Sequence, residues 1–324
     1  MGYFLGAYAA SPCGSQWSEA AEGAYFDGLR RLPTLRGLEV PFTGRLHRHD
    51  EAWFLTHIDR ACDFVVTCIP GTMEALQSNP HFGLASESGA GRQAALAFAA
   101  SARDAVTRLN GHLGRTAVVA VELHSAPSPA ASGVRSSAAS FTRSLSEIRS
   151  WDWQGAGLVV EHCDAFRPGR PYIKGFLGLE EEIDAVTRAN AGSALRIGIA
   201  VNWGRSVLEM REPATALQHI RRLRSADLLS GLIFSGCGAV AGPYGAWQDT
   251  HMPHAPAPGI EYGAEGSLMT EAEIDRSLAA AVPSALAFLG AKIAVRPEGV
   301  AVAERVGFCR DALALIDRHL AVAA

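Results

Sequence analysis

GLVVEHCDAF, residues 157–166, decides the fold. Leu158, Val159 and Val160 run without polar alternation into Glu161, His162 and Asp164. Clean alternation would mark a strand with one wet face. An unbroken apolar run marks a strand covered on both faces, the habit of parallel sheets under helices. A carboxylate closing such a strand stands at the face where α/β folds place their chemistry.

Seven further runs share this character: residues 3–9, 38–42, 64–69, 117–123, 195–201, 231–234 and 292–295. Amphipathic stretches fall between them, clearest at residues 90–109, 180–189, 213–224 and 271–289. Eight strand–helix alternations predict an α/β fold of the closed (β/α)8 TIM-barrel type, one domain over residues 1–324. An open doubly wound sheet gives the same local pattern with fewer strands. Two polar stretches, 125–140 and 236–266, follow strands and exceed simple turns, so both read as functional loops on the C-terminal face.

Hydrophobic residues are 48% of the 324 and charged residues 19%, with a formal net charge of −4. That balance excludes a disordered chain and a nucleic-acid partner held by bulk electrostatics. Six cysteines without a CxxC pair predict free thiols in a reducing compartment. No basic leader precedes MGYFLGAYAASPCG, and no apolar run approaches the ~20 residues of a membrane span. The expectation is a cytoplasmic protein with a small-molecule partner and no membrane; a homo-oligomer is compatible.

The strand ends are polar: Glu39, then Glu122 and His124, then Glu161, His162 and Asp164, then Asn202 and Arg205, then Ser235, then Arg296 and Glu298. Asp249, His251 and His254 follow in the loop after strand seven. Buried carboxylates need a positive partner, and both arginines and a divalent metal supply one. Oxygen and imidazole donors suit Mn, Mg, Co or Zn. His162 alternates with Glu161 and should point away from the barrel axis. Trp203 and Trp247 offer flat faces for a sugar ring or plain packing. Gly89 and Gly91 lack the Lys-Ser/Thr of a P-loop, and no G-x-S-x-G is present.

Three stretches carry a resemblance: HFGLASESGAGRQAAL (81–96), LVVEHCD (158–164) and RPEG (296–299). They resemble the xylose-isomerase-like barrel superfamily of sugar isomerases and epimerases. More narrowly, the whole chain is similar to the DUF4862 type, a bacterial group associated with sugar-catabolism clusters, including one for sulfoquinovose. The resemblance implies a barrel acting on a small sugar. It implies Glu161 and Glu298 as metal-binding carboxylates that double as the acid/base pair, moving a proton beside a carbonyl. The family adds an Asp or His on strand six and a His on strand seven. This chain offers Asn202 and Ser235 there, so Asp249 and His251 become the substitute ligands of one divalent ion. Glu122, His124, Asn202, Arg205, Trp247 and Arg296 are the expected substrate contacts. Arg205 and Arg296, with Arg135 or Arg143, also suit a phosphorylated or sulfonated substrate. The expected activity is a sugar isomerase or epimerase. The alternatives are a lyase or hydrolase of an oxidised glycoside and a non-catalytic sugar-binding barrel.

Overall fold

Strand β1 (Tyr3–Leu5) pairs in parallel with β2 (Leu35–Pro41) on one side and β8 (Phe288–Ala291) on the other, which closes the sheet. Between them stand β3 (Asp63–Thr67), β4 (Val118–Leu123), β5 (Gly157–His162), β6 (Gly198–Asn202) and β7 (Leu229–Phe234), in sequence order. The molecule is thus the expected (β/α)8 barrel, seen here in a computed structural model that describes residues 2–14 and 16–321.

Helices α1 (Glu19–Leu29), α2 (Glu51–His57), α3 (Ile69–Ser78), α4 (Gly89–Leu113) and α5 (Ala138–Arg149) cover the first half. In the second half lie α6 (Leu179–Asn190), α7 (Trp203–Met210), α8 (Ala214–Ser225), α9 (Glu271–Ala281) and α10 (Val302–Ala321). Their starts are capped as the sequence suggests: Ser18, Ser88, Ser137 and Thr270 each accept a first-turn backbone N–H.

Phe4, Val65, Ala120, Val159, Ala200, Ile233 and Phe288 pack together as an apolar plug inside the barrel. Burying each of the larger members is worth roughly 1.5–3 kcal/mol. Because side chains alternate along a strand, this plug also fixes which residues of the next layer face inward.

The last strand corrects the sequence reading. It occupies Phe288–Ala291 rather than 292–295, and α9 stops at Ala281 rather than 289. Ala- and Leu-rich sequence through residue 289 prolongs a helical pattern, but Val282 turns to φ 52° and Pro283 ends the helix. The pairing Phe4↔Gly290 is so close that a Cβ on Gly290 would stand 1.8 Å from the Phe4 carbonyl oxygen. A Cβ on Gly6 would stand 2.6 Å from Lys292 Cγ. Gly290 lets β8 approach β1, and Gly6 leaves the stem of Lys292 its path into the barrel.

The loop after β7 is pinned rather than loose, through antiparallel bridges Gly236↔Met252 and Gly238↔Ser267. All six cysteines are buried and free. Among the described residues, no helix is long and apolar enough to cross a membrane.

Candidate active site

Two residues beyond the plug, the strands change chemistry together. Val65, Ala120, Val159, Ala200 and Ile233 lead to Thr67, Glu122, Glu161, Asn202 and Ser235. With Glu39 of β2 these form a polar layer, each member at most 1% exposed. Carboxylates this deep must be paired or protonated.

Glu161 is the anchor. Its Oε1 lies 2.6 Å from an Arg205 nitrogen and accepts from Asn202 Nδ2 at 3.2 Å, while its Oε2 meets His124 Nε2 at 2.8 Å. Burial alone would raise its pKa, but Arg205, Lys292 and His124 hold it well below the usual carboxylate range. Arg205 also donates from Nε to Asp249 Oδ2 at 3.0 Å, and Lys174 grips the same oxygen. Asp249 is therefore held well below its ordinary value, Lys174 and Arg205 outweighing burial. Lys292 reaches Glu39 Oε1 and lies 3.8 Å from Glu161 Oε1. Burial would discharge it, but Glu39, Tyr8 and Glu161 keep its ammonium charged.

Glu122 behaves in the opposite way. Burial, reinforced by the charges of Glu161 and Glu39, drives its pKa well above the usual range. Neither of its oxygens has a hydrogen-bond partner. Its surroundings favour the protonated carboxyl, on the strand next to the charge-paired Glu161. Glu39 is raised by burial against the opposing pull of Lys292, and its Oε2 is also unpartnered.

His251 completes the group. Its Nδ1 lies 2.8 Å from Ser235 Oγ and 3.4 Å from Asp249 Oδ1. Burial, outweighing the pull of Asp249 and aided by Lys292 and Arg205, lowers its pKa to about 3. A carboxylate beside Nδ1 selects the tautomer protonated there, leaving an Nε2 lone pair. His124 is likewise lowered by burial, against the pull of Glu161.

The structure thus gathers Glu161, Asp249, His251, Arg205, Asn202, Glu122 and His124. It does not bring Glu298 or Arg296 to them. Glu298 lies seven residues past β8, its side chain 67% exposed and ion-paired to Arg296 at 3.0 Å. Its expected roles as metal ligand and acid/base partner are corrected by the shifted strand, because the side chain that enters the layer there is Lys292, the residue directly after β8. Arg296 is equally peripheral. Trp247 is half-buried, with Arg211 over its ring at 5.5 Å, away from the polar layer, and Trp203 is packed in the core. Asp164 accepts from the backbone of Ile173 and Lys174, shaping a loop. Arg135 pairs with Glu87 and Arg143 donates to Ser140. His254 accompanies the Ala255 carbonyl.

The donors expected for a metal do not fit one. Both Glu161 oxygens are taken, Asp249 is shared by two cations and His251, and Asn202 caps α7 by accepting from Arg205 N. A divalent ion would have to displace fixed charges of the chain. Elsewhere among the described residues, His162, Glu209 and His219 have ligand atoms within 4.8 Å of one another. Here too the donors are engaged. His162 points away from the axis, its Nδ1 2.7 Å from Glu182 and its Nε2 3.1 Å from Glu209, while Arg167 donates to Glu209 at 2.8 Å.

This second network makes a pH prediction. Burial would lower the His162 pKa, but Glu182 and Glu209 raise it to about 10. The folded value lies above the ordinary value of ~6.5. The stabilisation is therefore full below about pH 6.5 and fades as pH climbs through about 10. Urea unfolding of the wild type should lose several kcal/mol across that window. His162→Gln should show a flatter profile; equal slopes would remove the protonated imidazole from the account.

A cavity of about 290 Å³ opens beside the layer, between the loops after β1 and β2. Tyr8 and Glu39 line it, with Glu22, His47 and His49. The sequence reading named neither Lys292 nor Lys174 nor this cavity. A lysine inside the apolar run AKIAV was the available signal, since a lysine is almost never fully buried without a partner.

The family described as a domain of unknown function, DUF4862, matches residues 4–308. The uncharacterized protein STM3670 of Salmonella typhimurium (strain LT2) is 34% identical over 317 residues, covering 98% of this chain and 97% of that protein. Among solved structures, the IolI protein with a bound zinc atom superposes with a TM-score of 0.57 at 8% identity, over 98% of this chain and 99% of that one. D-psicose 3-epimerase in the presence of D-fructose gives 0.51 at 15%, over 100% and 97%. A xylose isomerase domain protein from Alicyclobacillus acidocaldarius gives 0.55 at 15%, over 99% of each. At these identities the structures show the shared xylose-isomerase-like barrel fold.

Proposed function

The chain belongs to the DUF4862 family, and we propose that it is an isomerase or epimerase of a small sugar or sugar derivative. One observation carries the reading: a single buried layer holds Glu122, whose carboxyl pKa burial drives upward and whose oxygens have no partner, and touches, through Ser235, His251, whose imidazole pKa burial drives downward. Environments that push paired groups apart define an acid and a base at one pH. Proton transfer beside a carbonyl needs that combination.

In this reading the substrate enters through the cavity lined by Glu39 and Tyr8 and passes Glu39 to meet His251 and Glu122, which stand beyond the cavity lining. At about 290 Å³ the cavity sits at the lower end of small-molecule sites, ~300–1,000 Å³. His251 Nε2 takes the proton, with Asp249 holding the ring's other nitrogen. The Glu122 carboxyl returns a proton. Glu161 acts through the groups it holds, fixing Arg205, Asn202 and His124. A metal role would require Glu161 and Asp249 to give up those partners, so no step is assigned to one.

The test is proton exchange. Aldoses, ketoses and their phosphorylated and sulfonated derivatives are incubated with the protein in D2O and followed by NMR. Deuterium at a carbon beside the carbonyl, with an isomer or epimer accumulating, is the expected result. A folded protein that exchanges and converts nothing across the panel would point to the sugar-binding alternative and end the enzymatic reading.

A further inference from the structure

We infer that Lys292, together with Arg205, is a built-in replacement for a divalent metal at the mouth of this barrel. The resemblance implies a carboxylate of strand eight meeting the carboxylate of strand five across a metal ion. The strand-eight side chain that enters this layer is an ammonium. Lys292 is fully buried and bridges Glu39 and Glu161, and Arg205 sits on the other side of the same Glu161 oxygen.

Charge accounting supports the exchange. The ion pairs of the cluster join the carboxylates of Glu39, Glu161 and Asp249 to Lys292, Arg205 and Lys174. Each of the three carboxylates already meets a cation of the chain, so a divalent ion would have to displace one of those cations. The backbone is built for the lysine as well. Gly6 clears its stem, because a Cβ there would stand 2.6 Å from Lys292 Cγ. The Tyr8 ring lies over its Nζ at 5.7 Å, adding a cation–π contact. A site that merely tolerated a lysine would need neither.

Lys292 is on this account a positioning residue: it replaces the ion's charge and holds the carboxylates of Glu39 and Glu161. The inference concerns the charge composition of the layer and stands whether or not the sugar reading holds. The experiment therefore reads metal binding, not turnover. The whole protein is dialysed against chelator, then assayed for bound metal and for a melting shift with millimolar MnCl2, CoCl2 and ZnCl2. Wild type should keep no stoichiometric metal and show no shift with MnCl2.

Lys292→Glu should gain Mn2+ affinity by about 10- to 100-fold, seen by calorimetry and as a manganese-dependent rise in melting temperature. Should that variant unfold without metal, refolding on MnCl2 addition reads the same gain. Lys292→Met, which removes the charge and adds no donor, should gain no affinity. Stoichiometric metal in wild type that disappears with Glu161→Gln would overturn the inference. So would a Lys292→Glu variant that folds, or stays unfolded, indifferently to manganese.

Discussion

Arg205→Met should lower the stability of the protein by about 3–5 kcal/mol, among the largest effects available to one substitution. The guanidinium is 2% exposed and joins Glu161 to Asp249. Removing it strands two buried carboxylates that were ionised because of it. The loss should be pH-dependent. Both carboxyls are held below their ordinary values in the wild type, so the stabilisation they give is present at neutral pH. It is lost as pH falls through the depressed folded values. In the variant those groups protonate more readily, so the gap between the two proteins should narrow in acid. Urea midpoints at neutral and acid pH check this. A gap that is small at neutral pH, or constant with pH, would show that the pair contributes nothing beyond packing.

His251→Ala should reduce solvent-deuterium incorporation, and turnover with it, by about 100- to 10,000-fold while leaving unfolding nearly unchanged. The imidazole is the member of the group with solvent access, 17% exposed, and its neutral state at pH 7 leaves a lone pair for a substrate proton. Asp249→Asn separates orientation from basicity. It gives His251 no carboxylate to select its tautomer, so it should lower kcat with little change in KM, and it should also cost stability because Lys174 and Arg205 lose their shared carboxylate. Exchange in His251→Ala at the wild-type rate would transfer the base role to Glu39, whose Oε2 is unpartnered and which lines the cavity.

How much of this was legible beforehand follows from the physics of each element. The strands announced themselves because two-sided burial writes an unbroken apolar run. The layer followed from period two once Val159 was placed inside, since Glu161 then had to face inward and His162 outward. Strand eight failed because residues 284–289, SALAFL, have a composition that suits helix and buried strand equally. A shift of four residues there changed the layer's strand-eight contribution from the expected carboxylate to a lysine. Asp249 and His251 were legible as polar residues but not as partners of Arg205. They belong to a loop whose course is set by its bridges to Gly236 and Gly238, and such closure over a long segment leaves no local periodic trace. Glu298 was drawn in by its motif, and the structure leaves it in solvent because the chain has already left the barrel at Lys292.

The matched anions and cations have one more consequence. Charges paired at contact inside the layer send little field into solvent, so the layer itself does not draw a charged molecule from a distance. Encounter is then governed by diffusion and by the width of the passage past the first two loops. Selection falls on shape and hydrogen bonding once the molecule is inside. Any dependence of substrate arrival on ionic strength should accordingly come from the chain's net charge of −4 and its surface groups, not from the layer.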